Sequence, residues 1–124
     1  MALDGLVISN IVYELSETLT GGRINKIYQP EPDALILGIK NNRTNYKLLI
    51  SASASLPLIY LTDDTPANPA VAPNFCMLLR KHLTGGRLTG LHMEPGDRIV
   101  FFDFLCTNEM GDLVTNTLAA ELMG

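Results

Sequence analysis

The pentapeptide Leu19-Thr20-Gly21-Gly22-Arg23 occurs a second time as Leu83-Thr84-Gly85-Gly86-Arg87. Each copy follows a stretch in which apolar residues recur every three or four positions, and that spacing predicts an amphipathic helix. Each copy also precedes a stretch that predicts a strand. Because a left-handed glycine often closes the last turn of a helix, the pentapeptide predicts the same helix-to-strand turn at two places in the fold.

The repeat has two interpretations. Identical capping chemistry can arise independently at two helix ends, or the chain can contain a duplicated structural unit. A match of five residues is weak evidence for duplication. The sequence alone therefore favours independent capping and leaves the duplicated unit open.

The segments around the two turns complete an α+β pattern. One helix is expected from Ile8 to Leu19, and a second is expected to begin near Pro73, a residue favoured in the first helical turn. Short polar turns between the strands indicate antiparallel neighbours. Strands are predicted at Arg23–Tyr28, Asp33–Lys40, Asn45–Ala52, Pro57–Thr62, Arg87–Met93 and Asp97–Thr107, and a last apolar run covers 112–123.

Length and composition indicate one folded domain, or part of one. The chain has 124 residues, of which 47% are hydrophobic and 18% are charged, so it is too apolar for a disordered protein. Apolar runs are too short for a membrane span, and Met1-Ala2-Leu3-Asp4 does not resemble a secretory signal. We expect a cytoplasmic protein with no membrane partner. The apolar ending at 118–124 predicts the truncated first part of a longer domain.

The residues that most often carry catalysis or metal binding form no motif. Cys76 and Cys106 lack a partner at metal-ligand spacing and are predicted to be buried thiols. His82 and His92 have no acidic or nucleophilic residue at the spacing of a catalytic triad. The sequence predicts no cofactor, no metal and no enzymatic activity.

The net charge of −4 is unexpected for a protein that binds phosphates, so any nucleic-acid contact must be local. Arg80 and Lys81, together with Arg23, Lys26 and Arg87, are candidates for a patch that faces phosphates. The alternative is a solvated face with no ligand, which is the usual role of scattered basic residues.

Several motifs, in order, resemble the N-terminal domain of the NFACT family, which includes ribosome quality-control factors and homologues of fibronectin-binding protein A. The resemblance spans the chain and implies that residues 1–124 are part of that domain. The similar segments are Met1-Ala2-Leu3-Asp4-Gly5, the run from Gly22 to Pro30, the run from Asn74 to Leu83, Gly96-Asp97-Arg98-Ile99-Val100 and Glu121-Leu122-Met123-Gly124.

The resemblance implies a function. Family members bind a large ribosomal subunit that is obstructed by a nascent chain, and they recruit aminoacyl-tRNA, which is alanyl-tRNA in bacteria, for C-terminal tailing. The domain is also similar to that of formamidopyrimidine-DNA glycosylases, which implies antiparallel β-sandwich-like sheets flanked by two helices. Glycosylase activity is not expected, because those enzymes need an N-terminal proline followed by glutamate.

The resemblance marks Asp97 and Arg98 as the tRNA-contacting pair. Arginine presents a planar fork of donors that fits phosphate or guanine, and aspartate accepts hydrogen bonds from base amino groups. Without the resemblance, the residues favour an ordinary turn in which the carboxylate caps backbone amides. Glu121 and Met123 match a second family motif. Asp4 matches a family position, and it could equally cap the first helix.

Two other functional classes stay open as alternatives. A surface adhesin that binds fibronectin is suggested by a name used in the family, and the lack of a signal sequence argues against it. A DNA-repair enzyme of the glycosylase type is disfavoured by the residues at the N-terminus. The leading prediction is a tRNA- and ribosome-binding domain without catalysis.

Overall fold

A computed structural model describes residues 5–52, 58–63, 71–94 and 98–122 of the chain. These residues form two helices and seven strands. In chain order the elements are α1 (Gly5–Leu19), β1 (Arg23–Glu31), β2 (Ala34–Asn41), β3 (Thr44–Ser51), β4 (Leu58–Thr62), α2 (Asn74–Leu83), β5 (Arg87–Glu94), β6 (Ile99–Thr107) and β7 (Leu113–Glu121).

All seven strands belong to one antiparallel sheet with the order β4-β3-β2-β1-β5-β6-β7. The α+β prediction with antiparallel strands and two helices is confirmed. The sheet curls, so that 118–121 of β7 line the same cavity as Ala34, Leu35 and Ile50 at the ends of β2 and β3. The sandwich-like arrangement is thus made by one folded sheet.

The strands β1 and β5 join two similar units. The first unit consists of α1 and β1 to β4, and the second consists of α2 and β5 to β7. Four backbone hydrogen bonds connect the units, and each has a counterpart with the units exchanged. Gly21 N–H donates to Leu88 O over 2.8 Å, Gly85 N–H to Ile24 O over 2.7 Å, Ile24 N–H to Gly86 O over 2.9 Å, and Leu88 N–H to Gly22 O over 2.8 Å.

The backbone geometry of the two Gly-Gly turns requires glycine at this junction. Gly21 and Gly85 have φ angles of +93° and +85°, in the left-handed region that favours glycine. At Gly86 an added Cβ would lie 2.7 Å from Sγ of Cys106. At Gly22 it would lie 2.6 Å from a side-chain carbon of Ile39. The repeated pentapeptide therefore supplies one glycine for the turn and one for close packing in each unit.

A second shared feature lies two residues beyond the junction. The register of β1 with β2 shifts between Ile24 and Lys26, and the register of β5 with β6 shifts between Leu88 and Gly90. Each shift follows the turn at the same interval and marks a bulge that bends the strand. Independent helix capping does not account for matching bulges and reciprocal hydrogen bonds, so the structure favours the duplicated unit.

The helix of each unit covers the edge of the other unit's first strand. Because β1 and β5 pair only near their starts, the rest of each strand lacks a neighbour on that side. Helix α2 packs against β1 and helix α1 packs against β5. Arg80 Nε donates to Ile27 O over 2.9 Å, which satisfies an edge carbonyl of β1.

One hydrophobic core links the helices and both halves of the sheet. The apolar face of α1 contributes Ile8, Val12, Leu15 and Leu19, as its periodicity predicts. Phe102 and Phe104 of β6 are fully buried. Cys76 and Cys106 are free and buried, which confirms the prediction made for the two thiols.

The packing at Gly86 gives a testable prediction. We expect Gly86→Ala to lower the free energy of unfolding by about 1–3 kcal/mol, because the methyl group must displace Cys106 or the Leu83 carbonyl. Gly90→Ala is the matched control, since an added Cβ there has no atom within 4 Å and should change stability by less than about 0.5 kcal/mol. Urea unfolding measures both values, and equal effects of the two substitutions would contradict the packing argument.

Candidate nucleic-acid interface

The outer face of the sheet points away from the two helices. Side chains on this face alternate along each strand with core side chains. The pairing of neighbouring strands aligns one exposed residue from each of six strands. From β3 to β7, this line consists of Asn45, Lys40, Arg23, Arg87, Leu105 and Thr115. We call its three neighbouring basic residues, Lys40, Arg23 and Arg87, the cationic row.

Arg23 and Arg87 lie directly opposite each other at the junction of the two units. The hydrogen bonds around them run between their sequence neighbours, which is the pair type with the closer side chains. Like charges in such a pair are destabilising. Arg23 Nη1 donates to Gly85 O over 3.1 Å, and this bond orients one guanidinium while leaving its other donors available.

A second set of basic groups lies on the adjacent part of the outer face. Lys26 pairs with Gly38, and Gly38 pairs with Lys47 on the next strand. Because Gly38 has no side chain, the side chains of Asn25 and Lys26 pack closely against it. Oδ1 of Asn25 lies 2.9 Å and Cβ of Lys26 lies 3.2 Å from the position that a Cβ of Gly38 would take.

The first unit concentrates positive charge locally. Residues 22–51 hold five of the nine Lys and Arg residues, while their acidic residues are Glu31 and Asp33 at the turn between β1 and β2. A chain with a net charge of −4 therefore presents a positive face. Because the net charge is negative, any contact with phosphates must be local, and this basic region can supply such a contact.

The outer face of the second unit has the opposite character. Asp103 Oδ1 accepts a hydrogen bond from Thr117 Oγ1 over 2.7 Å, and Asp103 Oδ2 lies 3.6 Å from His92 Nδ1. The His92 ring stacks on Phe101 with 5.0 Å between ring centroids. The carboxylate lies between the imidazole and the hydroxyl, whereas a hydrolase triad places the imidazole in the middle. This group stabilises the sheet surface.

The structure brings two of the predicted site residues together. Ile99 pairs with Glu121, and Leu122 N–H donates to Arg98 O over 2.9 Å, so Arg98 and Glu121 are neighbours at one end of β6 and β7. Arg98 has a φ of +53°, which is uncommon for a residue with a side chain. The predicted site residues Asp4, Asp97 and Met123 lie outside the described residues.

The other two predicted residues lie elsewhere. Lys81 Nζ is 3.6 Å from Glu109 Oε1 at the turn between β6 and β7. That turn and Arg98 are at opposite ends of β6, about 26 Å apart at the rise of an extended strand. The Arg80 guanidinium carbon is 6.0 Å from the centre of the Tyr28 ring, beside β1. Lys81 therefore does not belong to the same site as Arg98, and Arg80 lines a cavity with Asn25 and Lys26 beside β1.

Sequence reasoning missed Lys40 and Lys47. Both point to the outer face, next to the predicted patch residues Arg23 and Lys26. Lys47 stands between Tyr46 and Leu48, and the alternation of that strand predicts its direction. No local pattern indicates that Lys40 lies beside Arg23, because that neighbourhood depends on the pairing of β1 with β2.

Burial raises the pKa of the Cys106 thiol, and a hydrogen bond from Asn116 partly opposes this effect. The thiol is therefore protonated at neutral pH and is a poor nucleophile. Within the part of the chain that the structure describes, no three His, Cys, Asp or Glu side chains converge as metal ligands. Among those residues there is also no helix with the length and hydropathy of a membrane span.

The arginine pair generates a stability prediction. We expect Arg87→Glu to raise the free energy of unfolding by about 0.2–1 kcal/mol, because it replaces a like-charge pair with an opposite-charge pair across β1 and β5. The gain should shrink at high ionic strength, where exposed charges are screened. Arg87→Gln, which only removes the repulsion, should give an intermediate value in the same urea titration. A destabilised Arg87→Glu protein at low salt would be the opposite of this result.

Comparisons with known proteins agree with this fold. Residues 4–124 match the family described as NFACT N-terminal and middle domains. The chain is 40% identical over its whole length to the Rqc2 homolog RqcH of Bacillus subtilis, and spans 22% of that protein. It is 34% identical over 103 residues to ribosome quality control complex subunit 2 of Saccharomyces cerevisiae. This match covers 83% of the chain and 10% of the yeast protein.

A solved structure shows the same architecture. The N-terminal domain of the fibronectin-binding protein PavA from Streptococcus pneumoniae superposes with a TM-score of 0.93 and 41% sequence identity. The match covers 98% of this chain and 46% of that structure. The chain therefore spans less than half of the solved domain and about a fifth of the bacterial relative.

Proposed function

Because the chain belongs to the family of NFACT N-terminal and middle domains, we propose that it is the RNA-contacting part of a ribosome quality-control factor. A yeast relative is named as a subunit of the ribosome quality control complex, and this name supports the proposal. The domain binds RNA and contributes no catalytic group of its own.

The proposed activity belongs to the whole protein. It binds a large ribosomal subunit that is obstructed by a nascent chain and recruits aminoacyl-tRNA, in bacteria alanyl-tRNA, for C-terminal tailing. Peptide-bond formation stays with the ribosome. The task of this domain is to position the tRNA, which requires hydrogen-bond donors, acceptors and positive charge rather than a nucleophile.

The observation that carries the proposal is the neighbourhood of Arg98 and Glu121. The backbone of Arg98 is held in the left-handed region and is fixed to β7 through its carbonyl. Residues in such conformations persist only where the surrounding structure holds them, and they cluster at functional sites. Two segments that are separated in sequence are thus brought together at one end of β6 and β7.

The chemistry of this turn suits an RNA loop. The Arg98 guanidinium presents donors in a plane that fits a phosphate or the edge of a guanine. The exposed Glu121 carboxylate accepts hydrogen bonds from base amino groups. In sequence, Asp97 directly precedes Arg98 and Met123 lies two residues after Glu121, and Asp4 is a further candidate in the same proposal.

This proposal predicts the effect of removing the Arg98 guanidinium group. In the whole protein we expect Arg98→Ala to lower the recovery of tRNA with the purified protein by roughly tenfold or more. Arg98→Lys should restore little, because lysine keeps the charge and loses the planar donors. Arg43→Ala is the matched control, since Arg43 also has a positive φ, of 66°, and lies at a different turn.

Sequencing of the co-purified RNA provides the readout, and circular dichroism verifies that each variant is folded. If Arg98→Ala recovers as much tRNA as Arg43→Ala does, Arg98 does not contact tRNA and this part of the proposal is wrong. The expected result is a selective loss of tRNA with large-subunit RNA retained.

A second candidate function follows from the similar structure that is titled a fibronectin-binding protein. On that basis the whole protein acts at the cell surface as an adhesin. Cell fractionation followed by immunodetection separates the two proposals. Protein that is found with ribosomes supports quality control, and protein that is found on the surface, binding immobilised fibronectin, supports adhesion.

A further inference from the structure

We propose that the cationic row, together with Lys26, binds backbone phosphates of the RNA whose loop contacts Arg98. This inference rests on the proposed function and adds a second contact to it. The turn at Arg98 and Glu121 reads the loop, and the cationic row holds the adjoining strand. The ligand class is therefore an RNA phosphate backbone, contacted without regard to base sequence.

The first support is the unfavourable charge arrangement. Lys40, Arg23 and Arg87 are adjacent on three neighbouring strands. They have no acidic residue in line with them, because Asn45, Leu105 and Thr115 complete the line. Like charges directly opposite each other destabilise a sheet, so a bound polyanion is the partner that would compensate this repulsion.

The second support is the dimension of the row. Neighbouring strands lie about 4.8 Å apart, so three basic side chains cover about 10 Å of the surface. Lys26, which pairs with Gly38 on β2, adds a fourth positive charge on the same face. Arginine forks bind phosphate oxygens with two parallel hydrogen bonds. Arg23 is already oriented by its bond to Gly85 O, which lowers the conformational cost of binding.

The third support is the path between the two contacts. Strand β5 begins at Arg87 and ends at Glu94, which pairs with Ile99 beside Arg98. Seven residues of extended chain span about 23 Å. A stacked strand advances about 3.4 Å per nucleotide, so roughly seven nucleotides bridge the two contacts. One RNA strand of this length therefore reaches both contacts, and its path passes Asp103, whose carboxylate bonds to Thr117 and lies 3.6 Å from His92.

The surroundings favour RNA over a membrane surface. Proteins that bind lipid headgroups through basic residues usually bury an apolar face in the interface. The cationic row is instead bordered by the amides of Asn25 and Asn45, and Leu105 beside Arg87 is a single apolar side chain rather than an apolar face. Asparagine side chains hydrogen-bond to phosphate and sugar oxygens. Both residues are exposed, so their amides are accessible to a strand that follows the row.

The test measures the salt dependence of tRNA binding by the whole protein. Fluorescence anisotropy with a labelled tRNA gives the dissociation constant between 50 and 300 mM salt, a range of about sixfold that resolves the slope. For Arg23→Gln/Arg87→Gln we expect the slope of log K against log salt to become shallower by about 1.4–1.8, and affinity at physiological salt to fall roughly tenfold. The reference is Ser9→Glu/Asn10→Glu, which changes the net charge by the same −2 on the exposed side of α1 and should keep the slope.

The remaining variants make each outcome decisive. If the double arginine variant unfolds, Lys40→Gln/Arg87→Gln keeps the Arg23 hydrogen bond and should give the same change in slope. An unchanged slope in these variants, with affinity lost in Arg98→Ala, overturns the cationic row and retains the proposed function. Absence of tRNA binding by the unmodified protein overturns both. Arginine-dependent binding to phosphatidylserine vesicles with tRNA binding unaffected would also overturn the RNA assignment.

Discussion

Four backbone hydrogen bonds between Gly21–Ile24 and Gly85–Leu88 hold the two halves of this fold together. Everything else in the sheet forms by pairing of consecutive strands, which requires only short turns. Among the strand pairings of the described residues, the junction is the one that joins strands that are not consecutive in the chain. Because β1 and β5 pair only at their starts, each exposes an edge that the helix of the other unit covers. The point at which β1 and β5 stop pairing therefore determines which strand edge each helix covers.

The sequence was sufficient for the elements that depend on local chemistry. The periodicity of α1 and the Gly-Gly turns predicted both helices and the starts of β1 and β5. It was insufficient for the sheet order, because pairing of β1 with β5 joins residues 64 positions apart, as at Arg23 and Arg87. The sequence also favoured independent capping over a duplicated unit. The evidence for duplication is in matching bulges and backbone hydrogen bonds, which side chains do not reveal.

The candidate site shows the same division. The neighbourhood of Arg98 and Glu121 depends on the register of β6 with β7, which the turn at the far end of this hairpin sets. Arg80 and Lys81 are consecutive in sequence, yet one bonds to β1 and the other pairs with Glu109. Adjacent residues on a helix point in different directions, so Arg80 lines a cavity with Lys26 whereas Lys81 faces Glu109. The separation of Lys81 from Arg98 could be known only from the strand order.

The two units use one backbone plan for different surfaces. Lys26 and Gly90 follow the same bulge, and Gly38 and Asp103 are their partners on the next strand. The first unit thus carries lysine where the second carries glycine, and glycine where the second carries aspartate, while the core positions Ile24 and Leu88 are apolar in both. Substitution on the outer face is inexpensive because those side chains do not pack in the core. A duplicated fold can in this way acquire a basic half without losing its stability.

A single strand, β5, sets the distance between the basic half and the turn at Arg98. Its first residue, Arg87, belongs to the junction, and its last residue, Glu94, pairs with Ile99. A strand paired along its length with β6 cannot stretch or shorten without breaking hydrogen bonds. The spacing of the two surfaces is therefore fixed by the fold, whereas a flexible linker would leave it variable. A ligand that occupies both surfaces must match this spacing, and a rigid spacing adds selectivity without any further side-chain contact.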